Sequence, residues 1–141
     1  MSRVYWDTML FIYWLEDHSV HGAKVKDIYD RMRRRGDVLC ASAFSVAEVL
    51  TGPLKRGDTG TASNIRSFFD SPRVEVSAFT RETADRYAQI RATLRVSQPD
   101  AIHLACAAQS GADLFLTNDH RLRGLVVPGI HLIAGMDVDI L

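Results

Sequence analysis

Residues 99–119 read Pro-Asp-Ala-Ile-His-Leu-Ala-Cys-Ala-Ala-Gln-Ser-Gly-Ala-Asp-Leu-Phe-Leu-Thr-Asn-Asp, a complete helix-to-strand unit. Pro99 opens the helix, where a missing N–H is not needed, and Gly111 closes it. The apolar run 114–117 is too short for another helix and reads as a buried strand. Acidic residues mark both halves of the unit: Asp100 stands at the helix start and Asp119 just past the strand.

The same unit recurs outward along the chain. Short apolar segments at 3–6, 38–41, 73–79 and 131–134 read as further strands. Segments with helical character lie between them at 8–16, 20–35, 42–55, 61–70 and 80–94, with 99–110 completing the set. Strand and helix alternate, which predicts an α/β fold with a mainly parallel sheet. Gly36 follows Arg33, Arg34 and Arg35 as a helix stop, and Gly52-Pro53 is expected to interrupt the 42–55 segment. Tyr87, Ile90 and Leu94 recur at helical spacing and give the 80–94 helix one buried face. Residues 57–60 read as a surface loop. The first helix is apolar on every side from Met9 to Leu15 and needs cover on both faces. Packing within the domain could supply that cover. Phe11, Tyr13 and Trp14 cannot all face one core stripe, however, so the expectation is a protein interface, either in a homodimer or with another partner.

A chain of 141 residues is long enough for one domain with a real core, and the expected unit is 1–141. Hydrophobic residues at 47% and charged residues at 24% exclude long disorder or a fibrous repeat. No apolar stretch approaches the ~20 residues that span a bilayer, and no secretory signal pattern is present, so no membrane association and a cytoplasmic location are expected. Cys40 and Cys106 sit in apolar segments without metal-site spacing and read as reduced core residues. Seventeen Lys plus Arg balance seventeen Asp plus Glu. That balance counts against a high-affinity nonspecific DNA binder, and any nucleic acid is expected to be held by a local patch and bound metal.

Four acids, Asp7, Glu48, Asp100 and Asp119, stand where an apolar segment meets a turn or helix start. Each has an ordinary explanation by itself. Asp7 could cap the helix at Thr8, Glu48 could be a solvated helix residue, Ser97-x-x-Asp100 has the form of a capping box, and Asp119 could cap a turn. Jointly they imply more, because ligands of parallel sheets gather at the carboxyl ends of strands near the point where strand order reverses. Carboxylates converging there repel one another unless a cation neutralises them. All-oxygen ligation selects Mg²⁺ or Mn²⁺ over zinc. Asp113, at the start of the 114–117 strand, falls on the opposite edge and reads as a surface residue, as do Asp137 and Asp139.

Asp7-Thr8, Ser45-x-x-Glu48, Pro99-Asp100-Ala101-x-x-x-Ala105 and Thr117-Asn118-Asp119 together resemble, in order, the motifs of the PIN-domain nucleases, over residue 4 to about residue 133. More narrowly, the chain looks like a VapC-type toxin ribonuclease of a type II toxin–antitoxin pair. The resemblance implies a five-stranded parallel sheet flanked by helices. It also implies a catalytic and metal-binding set of Asp7, Glu48, Asp100 and Asp119, with Thr8, Ser45 and Thr117 in support. The implied reaction is Mg²⁺- or Mn²⁺-dependent hydrolysis of RNA, with a cognate antitoxin as partner. Two alternatives stand beside it: a PIN-type nuclease of RNA processing without an antitoxin, and a non-catalytic PIN module.

Among basic residues, Lys55, Arg56, Arg121 and Arg123 are the phosphate candidates by their nearness in sequence to Glu48 and Asp119. The run Arg31, Arg33, Arg34 and Arg35 is better explained by the favourable placement of cations at a helix C-terminus. His103 reads as a buried structural histidine, and His120 as the better candidate for substrate contact.

Overall fold

The computed structural model describes residues 1–137, so Asp139 lies outside the described residues. The order of elements is β1 (Arg3–Trp6), α1 (Thr8–Leu15), α2 (Gly22–Arg35), β2 (Val38–Ser42), α3 (Ala43–Lys55), α4 (Thr59–Asp70), β3 (Glu75–Ser77), α5 (Arg81–Thr93), α6 (Gln98–Gln109), β4 (Leu114–Thr117) and β5 (Leu132–Gly135). The strands form one five-stranded sheet in the order β3-β2-β1-β4-β5, and every pairing is parallel. The chain builds outward from β1 through β2 to β3. It then crosses back over the sheet to lay β4 on the other side of β1, so strand order reverses between β1 and β4.

Both faces of the sheet are covered, because side chains alternate along a strand and here both sets are apolar. Val4, Trp6, Leu39, Ala41, Leu114 and Leu116 face one core, filled by Leu10 and Phe11 of α1, Ile28 and Met32 of α2, and Ile65 and Phe69 of α4. Tyr5, Cys40, Phe115 and Ile133 face the other, filled by Ile90 of α5 and by Leu104 and Cys106 of α6. Both cysteines are free and buried.

The elements end for local reasons. Gly36 adopts a left-handed φ of 76° and closes α2, with its N–H bonded to Arg33 O. Three arginines occupy the last turn of that helix, as the dipole favours. Ser42 and Ser45 form a reciprocal capping box at the start of α3, and Thr80 and Thr83 do the same for α5. Pro53 does not interrupt α3, contrary to the sequence expectation. It forfeits one N–H bond near the end of the helix, its ring is buried, and the chain continues to Lys55 with Arg56 N–H bonded to Gly52 O. At the far edge, β3 keeps only three paired residues of the broader apolar stretch 73–79.

The aromatic residues of the first helix find their cover inside the chain, while Met9 stays 43% exposed and lines an open cleft with Ile12. Phe11 is fully buried, with its ring against Trp6, Phe68 and Phe69. Trp14 packs on Trp6, Tyr29 and Phe68, and Arg73 lies across that group 5.1 Å from the Trp14 ring centre. Tyr13 joins the same core, and its hydroxyl accepts from Asn118 Nδ2 at 3.2 Å. Helices α2 and α4 thus cover the aromatic residues for which the sequence reading sought a partner. Among the described residues, no helix is long and apolar enough to cross a membrane.

The connection from β4 to β5 carries no helix. Near its middle Arg123 crosses Gly135, and a Cβ there would overlap the guanidinium and push the arginine aside. Arg123 also pairs with Asp137 at 3.0 Å.

Because Phe11 joins α1 to both the sheet and α4, Phe11→Ala is expected to cost about 3–5 kcal/mol in urea unfolding, the usual range for emptying a buried phenylalanine. Trimming the exposed Val126 to Ala should leave the midpoint unchanged. Equal costs for the two variants would contradict this packing.

Candidate active site

A cleft of about 700 Å³ opens where β1 and β4 end, and Asp7, Glu48, Asp100 and Asp119 all line it. Each reaches it from a different element. Asp7 follows the last residue of β1, Glu48 lies on α3, Asp100 is in the first turn of α6, and Asp119 follows β4. Asp113 sits at the other end of β4, where its carboxylate accepts the Arg3 N–H at 2.8 Å and lies 3.5 Å from His131. It is on the opposite edge, as expected, but it has a structural task there and is only half exposed.

Asp7 is the most constrained of the four. Its Oδ1 caps α1 by accepting the Thr8 N–H at 2.9 Å, and its Oδ2 accepts the Thr117 hydroxyl at 2.7 Å. Capping and facing the cleft are therefore one arrangement rather than rival explanations. Burial is the main influence on its pKa and pushes it above the ordinary aspartate value. The Thr117 and Thr8 bonds and the neighbouring His103 pull it down, while the charge of Asp100 adds to the rise. Asp100 is thus within electrostatic reach of Asp7. Ser97 caps α6 by accepting the Asp100 N–H at 3.3 Å. Among the described hydrogen bonds the Asp100 carboxylate makes no return bond, so the capping box is not completed.

Glu48 is held from beneath by a buried polar chain. Its Oε1 accepts from Thr8 Oγ1 at 2.6 Å and lies 2.5 Å from His103 Nε2. The other nitrogen of His103, Nδ1, lies 2.8 Å from the Tyr5 hydroxyl, which also meets Ser42 at 2.9 Å. His103 is 2% exposed and Tyr5 fully buried, so each polar atom depends on these partners. Burial alone would raise the Glu48 pKa; the bonds from His103 and Thr8 outweigh it and hold the carboxyl below the ordinary glutamate value. Burial pushes the Tyr5 phenol far above its usual range.

Asp119 is engaged differently. Arg121 grips its carboxylate in a two-pronged ion pair, Nε to Oδ1 at 3.1 Å and Nη2 to Oδ2 at 2.7 Å. That bond lowers the Asp119 pKa against a smaller opposing effect of burial. Thr117 Oγ1 accepts the Asp119 N–H at 3.0 Å, so one hydroxyl ties both Asp7 and Asp119 to the end of β4.

Of the supporting residues, Thr8 and Thr117 bond directly to the acids. Ser45 does not: it is fully buried, closes the α3 capping box, and reaches Glu48 only through Tyr5 and His103. His120 and Arg121 line the cleft. Arg56 is taken up by Glu16 and Arg123 by Asp137, both outside the cleft lining. His103 and Tyr5 are the residues that sequence reading placed in the packing. The signal was present in His103, three positions after Asp100 on the same helical face, but nothing in the sequence shows Tyr5 beneath it.

As placed, no three His, Cys, Asp or Glu side chains among the described residues are grouped closely enough to share a metal ion. The donor set nevertheless suits a hard cation. It consists of carboxylates, two of which, Asp7 and Asp100, lack a basic side-chain partner among the described ion pairs, while Glu48 has His103 and Asp119 has Arg121.

The family model of the PIN domain matches residues 4–126. No curated protein matches the chain in sequence. Among solved structures it is similar to VapBC2 from Rickettsia felis bound to a promoter DNA fragment, at 16% identity and TM-score 0.75, covering 94% of this chain and 98% of that one. It is similar to DNA-bound VapBC from Salmonella typhimurium at 22% identity and TM-score 0.74, covering 96% and 99%. It also resembles VapC20 of Mycobacterium tuberculosis, a toxin described as cleaving the sarcin-ricin loop, at 17% identity and TM-score 0.67, covering 87% and 96%. At such identities the likeness speaks for the fold. With the family model matching most of its length, and with a parallel sheet whose order reverses at an acid-lined cleft, the chain belongs to the PIN domain family.

Proposed function

We propose that this protein is a divalent-metal-dependent endoribonuclease acting as the toxin of a VapBC-like toxin–antitoxin pair in the cytoplasm. The observation that carries the reading is the pair Asp7 and Asp100, two carboxylates within electrostatic reach in one cleft, neither of them in an ion pair among the described residues. Asp7, Asp100, Glu48 and Asp119 would hold the cation. The chemistry that Mg²⁺ or Mn²⁺ supplies is neutralisation of phosphate charge and activation of a water nucleophile.

The protein's own groups do the remaining work. Thr8 and Thr117 fix the two oxygens of Asp7. His103, set by Tyr5, holds Glu48 through Oε1, which leaves Oε2 as the oxygen to accept a proton from water. Arg121, already in the cleft, is the cation placed to hold an RNA phosphate when it leaves Asp119. The antitoxin is proposed from the likeness to solved toxin–antitoxin complexes. A basic side chain of such a partner would compete with metal for the four acids.

Asp7→Asn and Asp100→Asn are each expected to abolish Mn²⁺-dependent cleavage of RNA by purified protein while the far-UV circular dichroism stays unchanged. Asp113→Asn, on the other edge, should retain activity. Near-wild-type cleavage by either of the first two variants would sink the assignment. In cells, induced expression should arrest growth, and a co-expressed antitoxin from the neighbouring gene should relieve the arrest. Arrest that persists with the Asp7→Asn, Asp100→Asn double variant would separate toxicity from hydrolysis.

A thermodynamic consequence follows from the raised pKa of Asp7. Folded protein binds this proton more tightly than unfolded chain, so ionised Asp7 costs stability at neutral pH, and the cost disappears below the unfolded value of about 4. Metal-free Asp7→Asn, which keeps a good helix cap, should therefore melt above wild type at neutral pH, with the gap closing in acid. Added Mg²⁺ should raise the wild-type melting temperature and not that of the variant. A gap independent of pH would show that the burial cost has another source.

The buried chain beneath Glu48 gives a third test. Tyr5→Phe removes one hydroxyl and should reduce cleavage about tenfold, by loosening His103 and with it Glu48. Unchanged turnover in a folded variant would confine the chain to a packing role.

A further inference from the structure

We propose that His18 and His21, packed on the buried Tyr13, form a stacking platform at the rim of the cleft that takes one unpaired base of single-stranded RNA. The inference rests on the RNA-cleaving reading and adds to it a place for a base beside the place for a phosphate.

The platform is built by the turn between α1 and α2. Asp17 takes a left-handed φ of 51° there, which reverses the chain within a few residues. His18 N–H donates to Tyr13 O at 2.8 Å, and Gly22 N–H donates to His18 O at 2.9 Å. Gly22 permits this closure, since a Cβ would stand 3.0 Å from Tyr13 O. The backbone thereby brings three rings together. His18 and His21 lie parallel within 16°, with centres 5.2 Å apart, and the Tyr13 ring centre lies 4.9 Å from the first and 4.6 Å from the second.

The His18 ring is fixed before any ligand arrives. Its Nδ1 accepts N–H bonds from Val20 at 3.2 Å and His21 at 3.1 Å, which places the proton on Nε2 and stops the ring from turning. Those bonds account for His18 as a staple of the turn. They do not account for His21 stacked upon it, nor for the exposure of the His18 ring. No carboxylate pairs with either histidine among the described ion pairs. Tyr13 links the stack to the cleft: it lines the cleft, and its hydroxyl accepts from Asn118 Nδ2 at 3.2 Å, next to Asp119.

A flat heterocycle is the ligand that extends such a stack, and a nucleobase can do so with little regard to its identity. Unpaired RNA presents bases that can splay outward onto rings, which paired strands do not. Rings already held in place lose little freedom on binding.

The test is fluorescence anisotropy in EDTA, so that metal-dependent cleavage does not contribute, and attraction of the backbone to cations is common to the two strands compared. A short labelled oligouridylate is compared with the same backbone lacking its bases. Wild-type protein should prefer the base-bearing strand. His18→Ala and His21→Ala should each shrink that preference about fivefold, the low end for stacking one base on an aromatic side chain. His21→Phe should retain it, since no side-chain hydrogen bond of His21 stands among the described ones. A wild type that binds both strands equally or binds neither, Ala variants that match wild type, or a Phe variant as weak as Ala would each overturn the platform. Cleavage of the same oligomer with Mn²⁺ is measured separately: base-dependent binding without cleavage would remove the nuclease reading and leave the platform standing.

Discussion

The pairing of β1 with β4 is the constraint on which this molecule turns. Their register sets Trp6 beside Leu116, and the first bond beyond the strands, from Asp7 N–H to Leu116 O at 2.9 Å, carries the pairing into the cleft. Thr117 then binds the Asp7 carboxylate. Residues from opposite ends of the chain thus become neighbours through backbone bonds that the sheet must make in any case. The reversal of strand order at this pair leaves a crevice above it, and α3 and α6 bring Glu48 and Asp100 to its walls.

Charge in the cleft is unevenly balanced. Glu48 and Asp119 have counter-groups in His103 and Arg121, whereas Asp7 and Asp100 oppose one another. Glu48 and Asp119 thus have direct ion-pair partners, while Asp7 and Asp100 feel His103 and Arg121 only at longer range, and a dication would add to that balance. Neutrality of the whole molecule, seventeen basic against seventeen acidic residues, hides this local excess of negative charge. Any attraction for a polyanion would accordingly be short-ranged, with Arg121 in the cleft as a basic group within reach.

Much of this was legible in the sequence. The strands at 3–6 and 114–117 announce themselves because both faces are apolar, and Gly36 and Pro99 mark helix limits through backbone chemistry that does not depend on context. Other features were not legible, for physical reasons. Pro53 reads as a break because it loses a bond, but a buried ring near the end of a helix offsets one missing N–H. Aromatic residues all around α1 suggested a partner because periodicity reports how much surface needs cover and not which element provides it. Ser45 shares a motif with Glu48 yet serves the helix start. His103 looked like packing and is indeed buried, but burial made its two nitrogens obligatory bonding groups, and only the fold shows that one reaches Glu48 and the other Tyr5.

The segment joining β4 to β5 has a consequence for the speed of the site. It is anchored at one end by Thr117, which holds the Asp119 N–H, and further along by Arg123 lying across Gly135. Between those anchors, Arg121 can exchange Asp119 for another anion by rotating its own largely exposed side chain, a motion of picoseconds to nanoseconds. Ion and phosphate can therefore enter without waiting for a loop to open. The cleft thus combines acids held by backbone-anchored bonds with a cation that exchanges partners quickly.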